Sequence, residues 1–142
     1  MLTDNAFFSG VEAASLMRVL PAFHRMTFPS GATLYVRGRA AREVFLILSG
    51  RVAIVHSLGS VRIMVAVLGP GEFTGEGALL EPRPRHPWSA VCCEETQVAV
   101  ADGGALLAAL TALPALGVNV ARGVHRRVTD ATLAIDGLIA SR

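Results

Sequence analysis

The sequence has no lysine; all thirteen of its basic residues are arginine. Codon usage in a GC-rich genome is enough to produce that bias, so it carries no chemistry by itself. A basic stripe is also missing. The net charge is +2, and the C-terminal group of Arg122, Arg126 and Arg127 is what a solvated helix face presents. Direct DNA binding by this chain alone is therefore not expected. Cysteine is scarce, and Cys92 and Cys93 are adjacent. As neighbours on a strand they point to opposite faces, which argues against a mutual disulfide or a metal pair and leaves two buried thiols as the expectation. Four spaced thiolates, which an iron–sulfur cluster needs, do not exist here. Long apolar runs are absent too. The richest stretch, residues 98–118, is interrupted by Asp102, Gly103, Gly104 and Pro114, short of the roughly 20 apolar residues of a spanning helix. It reads as a buried strand plus helix, with no membrane segment. Residues 1–8 show no basic stretch leading an apolar one, so a cytoplasmic location is expected.

Metal and catalytic patterns are equally thin. His24, His56, His86 and His125 fall on a helix before the strands, a strand, a loop and the last helix, and no two lie close enough in sequence to hold a metal. Glu94 and Glu95 sit at a strand turn and read as solvated. No serine or cysteine carries a nucleophile motif. A metal-dependent barrel enzyme is thus disfavoured, and no metal is expected.

What remains is a chain of 142 residues, 52% apolar and 17% charged, sized for one domain with a real core. Three stretches divide it: an N-terminal helical segment at 1–26, a β-barrel at 27–101 and C-terminal helices at 102–142. Ser9 followed by Glu12 forms a capping box for a short amphipathic helix ending near Pro21. From Thr27 onward, apolar runs alternate with turn residues, which predicts strands at 32–36, 44–48, 51–56, 62–68, 89–93 and 97–101. So many short strands close most simply into a barrel or jelly roll, which removes exposed edges. Asp102 suits the cap of a helix through Leu106, Leu107 and Leu110, and Pro114 suits the first turn of a long final helix. On that helix Ala121, Val124, Val128, Ala131, Ile135 and Leu138 alternate at spacings of three and four, a heptad seam.

One constellation stands out. Phe73-Thr74-Gly75-Glu76-Gly77-Ala78-Leu79-Leu80 is followed by Glu81-Pro82-Arg83-Pro84-Arg85-His86-Pro87-Trp88-Ser89-Ala90. It resembles the phosphate-binding cassette of the cyclic-nucleotide-binding domain family, the sensor fold of catabolite activator proteins. The resemblance extends to Phe28-Pro29-Ser30-Gly31-Ala32-Thr33-Leu34 and to Val44-Phe45-Leu46-Ile47-Leu48-Ser49-Gly50-Arg51-Val52, and so spans nearly the whole chain. It implies a mainly β fold, a double-stranded β-helix (jelly-roll) barrel with a short N-terminal helix and a long C-terminal helix.

The resemblance also implies a ligand, cyclic AMP or cyclic GMP, held by Gly75, Glu76, Gly77, Ala78, Leu79, Arg85, His86 and Ser89. A short helix beginning at Gly77 offers backbone amides to the phosphate, and Gly75 and Gly77 admit a close approach. Glu76 can accept from a ribose hydroxyl, Arg85 can pair with the phosphate through its planar fork, and Ser89 can supply a hydroxyl. The register has two solutions. Counting forward from Glu76 places the family's arginine on Arg85; counting back from the following strand places it on His86, with Arg83 a further candidate cation. Thr129 and Arg126 would contribute to base recognition. The implied function is a regulatory sensor that signals through its final helix. The alternatives are a barrel without nucleotide that serves as a dimerisation module, and the sensor part of a transcription regulator without its helix-turn-helix.

The seam on the final helix generates a direct test. Burying Ile135 and Leu138 against a second copy contributes roughly 1.5 to 3 kcal/mol for each side chain removed from water. The wild type is expected to sediment as a homodimer at micromolar concentration, and Ile135→Asp as a folded monomer. A variant that stays folded and dimeric would assign the seam to the barrel.

Overall fold

A computed structural model describes residues 4–79, 83–112, 118–119 and 121–123. A single-turn 3-10 helix (Ala6–Phe8) precedes α1 (Ala13–Val19) and a second such turn (Leu20–Ala22). Then come β1 (Phe23–Phe28), β2 (Thr33–Tyr35), β3 (Glu43–Ser49), β4 (Val52–Leu58), β5 (Val61–Leu68) and β6 (Phe73–Thr74). A 3-10 turn (Glu76–Leu79), β7 (Ser89–Cys92), β8 (Thr96–Asp102) and α2 (Gly103–Ala112) follow. The strands form two four-stranded sheets, ordered β1-β8-β3-β6 and β2-β7-β4-β5, with every pairing antiparallel.

The two sheets differ in how many faces they bury, and the sequence explains why. Val44, Phe45, Leu46 and Ile47 of β3 and Val98, Ala99, Val100 and Ala101 of β8 are all buried, the continuous apolar pattern of strands covered on both sides. Successive residues serve different cores. Phe45, Ile47, Val98 and Val100 face the barrel interior, where they meet Tyr35, Val52, Ile54, Val65, Leu68, Ala90 and Cys92 of the other sheet. Val44, Leu46, Ala99 and Ala101 face outward against Phe7, Phe8, Val19, Phe73, Leu79 and Leu106. The outer core is anchored by Phe7, whose ring meets Phe73 edge-on with centroids 5.4 Å apart. Asn119 ties this layer down, its Nδ2 donating to the Phe7 and Ser9 carbonyls at 2.8 Å each. In contrast β5 exposes Val61, Met64 and Val67.

Several expectations need correction. The helix begins at Ala13 with Glu12 as its N-cap and no side-chain cap bond; Ser9 instead closes the preceding turn through Ala6, and Gly10 (φ +74°) redirects the chain. His24 lies on β1, not on a helix: residues 23–28 pair with 96–101. The four central residues of β1 are exposed, so it has no apolar alternation by which to be recognised as a strand. The two-residue β6 was too short to register. Of the two thiols expected to be buried, Cys92 is, at the end of β7, but Cys93, just past that strand, is exposed. Asp102 does cap α2, its Oδ2 accepting from the Ala105 amide at 3.1 Å. Glu94 and Glu95 are exposed. Of the proposed seam, Ala121 is helical and exposed; Val124, Val128, Ala131, Ile135 and Leu138, with Arg126 and Thr129, lie outside the described residues.

The turn between β3 and β4 is tightly determined. Gly50 has φ +89°, and a Cβ there would stand 2.5 Å from the Glu95 carbonyl oxygen and 2.7 Å from the Thr96 Cα. Neither backbone can retreat without disturbing β8. Gly50→Ala is expected to cost about 2 kcal/mol or more, seen as a lowered midpoint in chemical denaturation with an unchanged slope; a neutral result would mean that this turn relaxes freely.

Candidate functional site

The cassette grows out of the β3–β6 pairing, in which Phe45 faces Thr74 and Leu46 faces Phe73. The chain then turns at Gly75, with φ +84°, so close to β3 that a Cβ would lie 2.5 Å from the Glu43 carbonyl oxygen and 3.2 Å from the Phe45 ring. The glycine is thus required by packing within the protein. Glu76 follows, 5% exposed. Gly77 and Ala78 continue the 3-10 turn Glu76–Leu79, and Leu79 is buried in the outer core beside Leu106. The Gly103 amide donates to the Arg42 carbonyl at 2.8 Å, which fixes the start of α2 to the chain entering β3.

Next to this turn lies a cavity of about 340 Å³ lined by Tyr35, Phe45, His86, Arg39, Arg42 and Glu43, among others, within the size range of small-molecule sites. Its chemistry centres on Tyr35. The phenol shares a 2.5 Å hydrogen bond with the buried Thr74 hydroxyl, and the ring stacks on His86 with centroids 3.9 Å apart and planes 14° from parallel. Tyr35 therefore connects the cassette to His86. His86 is 6% exposed, and burial pushes its imidazole below the ordinary histidine value, because a buried charged form loses hydration.

The residues next to His86 are held by backbone pairing. The Ala41 amide donates to the Pro84 carbonyl (2.8 Å), the His86 amide to Arg39 (3.0 Å) and the Gly38 amide to His86 (2.9 Å), with Ala40 opposite Arg85. Arg85 lies on the solvent side, its Nη1 donating to the Gly38 carbonyl at 2.7 Å. Ser89 is half-buried at the start of β7, and its Oγ accepts from the Arg37 amide at 3.0 Å. Of the residues proposed from sequence, His86 lines the cavity, Gly75 abuts its wall at Glu43 and Phe45, and Ala78 and Leu79 pack in the outer core; Arg85 points outward, and the Ser89 hydroxyl is engaged with backbone. Tyr35, Thr74, Arg39, Arg42 and Glu43 were not foreseen. The signal for Tyr35 was available: it is the one tyrosine of the chain, placed inward by alternation in a predicted strand.

Two antiparallel sheets closed over a common interior, with a glycine–glutamate turn at the edge of one of them, define a double-stranded β-helix domain that carries its candidate site at the sheet rim. The chain belongs to the cyclic nucleotide-binding domain family, whose sequence profile matches residues 25–112. It is 32% identical over 136 residues to the cyclic AMP receptor protein of Thermus thermophilus, covering 95% of this chain and 62% of that protein. It is 26% identical over 129 residues to a CRP-like cAMP-activated global transcriptional regulator of Mycobacterium tuberculosis, covering 90% of this chain and 57% of that one. The crystal structure of the Thermus thermophilus catabolite activator protein matches with a TM-score of 0.78 at 31% identity, over 94% of this chain and 63% of that chain. This chain thus spans about three-fifths of the length of these relatives.

The lowered pKa of His86 sets a sign for stability against pH. A histidine that prefers the neutral form when folded costs nothing above its unfolded value of about 6.5 and progressively destabilises the fold as pH drops below it, until the folded-state pKa is passed. The wild-type melting temperature is therefore expected to fall between about pH 7.5 and 5.5 by more than that of His86→Phe, which keeps a ring on Tyr35. Equal falls would mean that His86 is protonated at no cost.

Proposed function

We propose that this chain is a ligand-sensing regulatory module that binds a cyclic mononucleotide, cyclic AMP or cyclic GMP, and passes the signal through its C-terminal helix. The observation that carries this is the cassette turn at 75–79, present in a chain of the cyclic nucleotide-binding domain family and packed against Glu43 and Phe45 of the cavity wall. In this reading Glu76 meets the ribose, the turn at Gly77 faces the phosphate, with the Ala78 amide held by the Gly75 carbonyl, and the cation comes from Arg85 or His86. Ser89 stands nearby. The module works in the cytoplasm of a bacterium as a homodimer, and it is not an enzyme: the relatives named above are receptors and transcriptional regulators.

A second reading is favoured by one observation. The Tyr35–His86 stack and the Tyr35–Thr74 bond already satisfy these groups within the protein, as they would in a barrel that serves dimerisation without nucleotide.

Calorimetric titration with both nucleotides, at neutral and mildly acidic pH, separates the two. Binding is expected, and Glu76→Ala should weaken it by roughly 1.5 to 3 kcal/mol, the range for a hydrogen bond to a charged group. Absence of heat and of any melting shift up to millimolar nucleotide would establish the second reading.

A further inference from the structure

The next step rests on the nucleotide-binding reading and concerns which residue meets the phosphate. A cyclic phosphodiester is a monoanion at every physiological pH. Placed against Tyr35 and Phe45, it needs a charged or strongly donating partner, because an unpaired charge in such surroundings is costly. Arg85 and His86 are adjacent, and the antiparallel pairing of 84–86 with 38–41 separates them. In an extended segment, consecutive side chains point to opposite sides. His86 takes the cavity side and Arg85 the solvent side, tied to the Gly38 carbonyl. Bringing Arg85 inward would require the segment to slip by one residue and surrender its three backbone bonds.

We propose that His86, rather than Arg85, holds the ligand's phosphate, and does so as the imidazolium, so that each nucleotide bound takes up one proton. The charged and titratable groups around it are few. Tyr35 of β2, Arg39 and Arg42 of the preceding loop and Glu43 of β3 line the same cavity. Arg85 lies on its own segment facing away, and Glu76 is buried in the 3-10 turn and is not among the residues lining this cavity. The two arginines oppose a charge on His86 and Glu43 favours it, while burial keeps the imidazole neutral in the absence of ligand. A phosphate within hydrogen-bond reach reverses that balance. Affinity then rises as pH falls from the bound-state pKa toward the ligand-free one, by up to about tenfold per pH unit, and levels off below it.

The experiment is calorimetry of the wild type, His86→Arg and Arg85→Ala with cyclic AMP and cyclic GMP. It is run at about pH 7.5 and 5.5, in buffers of different ionisation enthalpy, with melting curves to establish that each variant is folded. The wild type is expected to bind about tenfold or more tightly at the lower pH with close to one proton taken up. His86→Arg should bind with little pH dependence and no uptake, and Arg85→Ala should follow the wild type. Wild-type binding without proton uptake, or loss of binding in Arg85→Ala, overturns the proposal and leaves the nucleotide-binding reading intact. So does binding by His86→Arg when the wild type fails to bind even at the lower pH. If neither protein binds either nucleotide at either pH, the nucleotide-binding reading itself fails. The Cε1–H resonance of His86, titrated with and without nucleotide, tests the same point without substitution: its midpoint must rise on binding.

Discussion

Burial of β3 and β8 on both faces is the constraint on which the rest of the structure depends. An ordinary antiparallel sheet can leave one face to water; this one cannot, because every residue at positions 44–47 and 98–101 is apolar and buried. The inner face is covered by the second sheet. The outer face needs a separate cover, and the chain supplies it from both directions: Phe7, Phe8 and Val19 from the N-terminal segment, and Leu79 and Leu106 from the cassette turn and α2. The cassette is consequently part of the core as well as part of the candidate site. Leu79 fixes one end of the turn in the outer layer, while Thr74 fixes the other through Tyr35 in the inner one. A displacement of this turn must be felt by α2, since a Cβ on Gly103 would lie 2.9 Å from the Ala78 Cβ and Leu79 shares the outer core with Leu106.

The same geometry explains how a one-residue difference in a loop can change the chemistry of a site without changing the fold. Residues 84–86 are extended and paired, so their side chains alternate between cavity and solvent. Adding one residue before such a segment leaves its backbone bonds available and exchanges the side chains presented to each side. Here the exchange puts an imidazole in the interior and a guanidinium outside. Proline at 84 and 87 restricts the segment further, because each fixes its own φ and biases the residue before it toward extended backbone.

Much of this was legible in the sequence, and the exceptions have physical causes. Strands with an apolar face or two apolar faces were readable from their runs and turns, and the cassette from its glycines and glutamate. β1 was not, because its central residues are exposed and nothing in its composition alternates; it is a strand because β8 offers it an edge. The order and spacing of residues marked a candidate site but left Arg85 and His86 undecided, since both counts were self-consistent. Only the pairing with 38–41 decides which of two adjacent side chains faces in, and that is long-range information. Tyr35 was missed for a related reason: its role follows from partners far along the chain, Thr74 and His86.

An arginine and a histidine would solve the interior position differently. A guanidinium remains charged at any pH the protein meets. Facing this cavity without a ligand, it would need a standing counter-charge or water, and would destabilise the packed rings of Tyr35 and Phe45. An imidazole avoids that cost by giving up its proton and stacking on Tyr35, where its ring contributes to the core as any aromatic would. The stack therefore contributes to the packing of the protein, and under the proposed role it would be partly given up, or at least recharged, by an entering anion. Under the proposed role, that coupling would trade affinity at neutral pH for a resting state that needs no ligand to be well packed. It also ties any movement of His86 to Tyr35, from Tyr35 to Thr74, and from Thr74 into the turn that carries Glu76 and packs on α2.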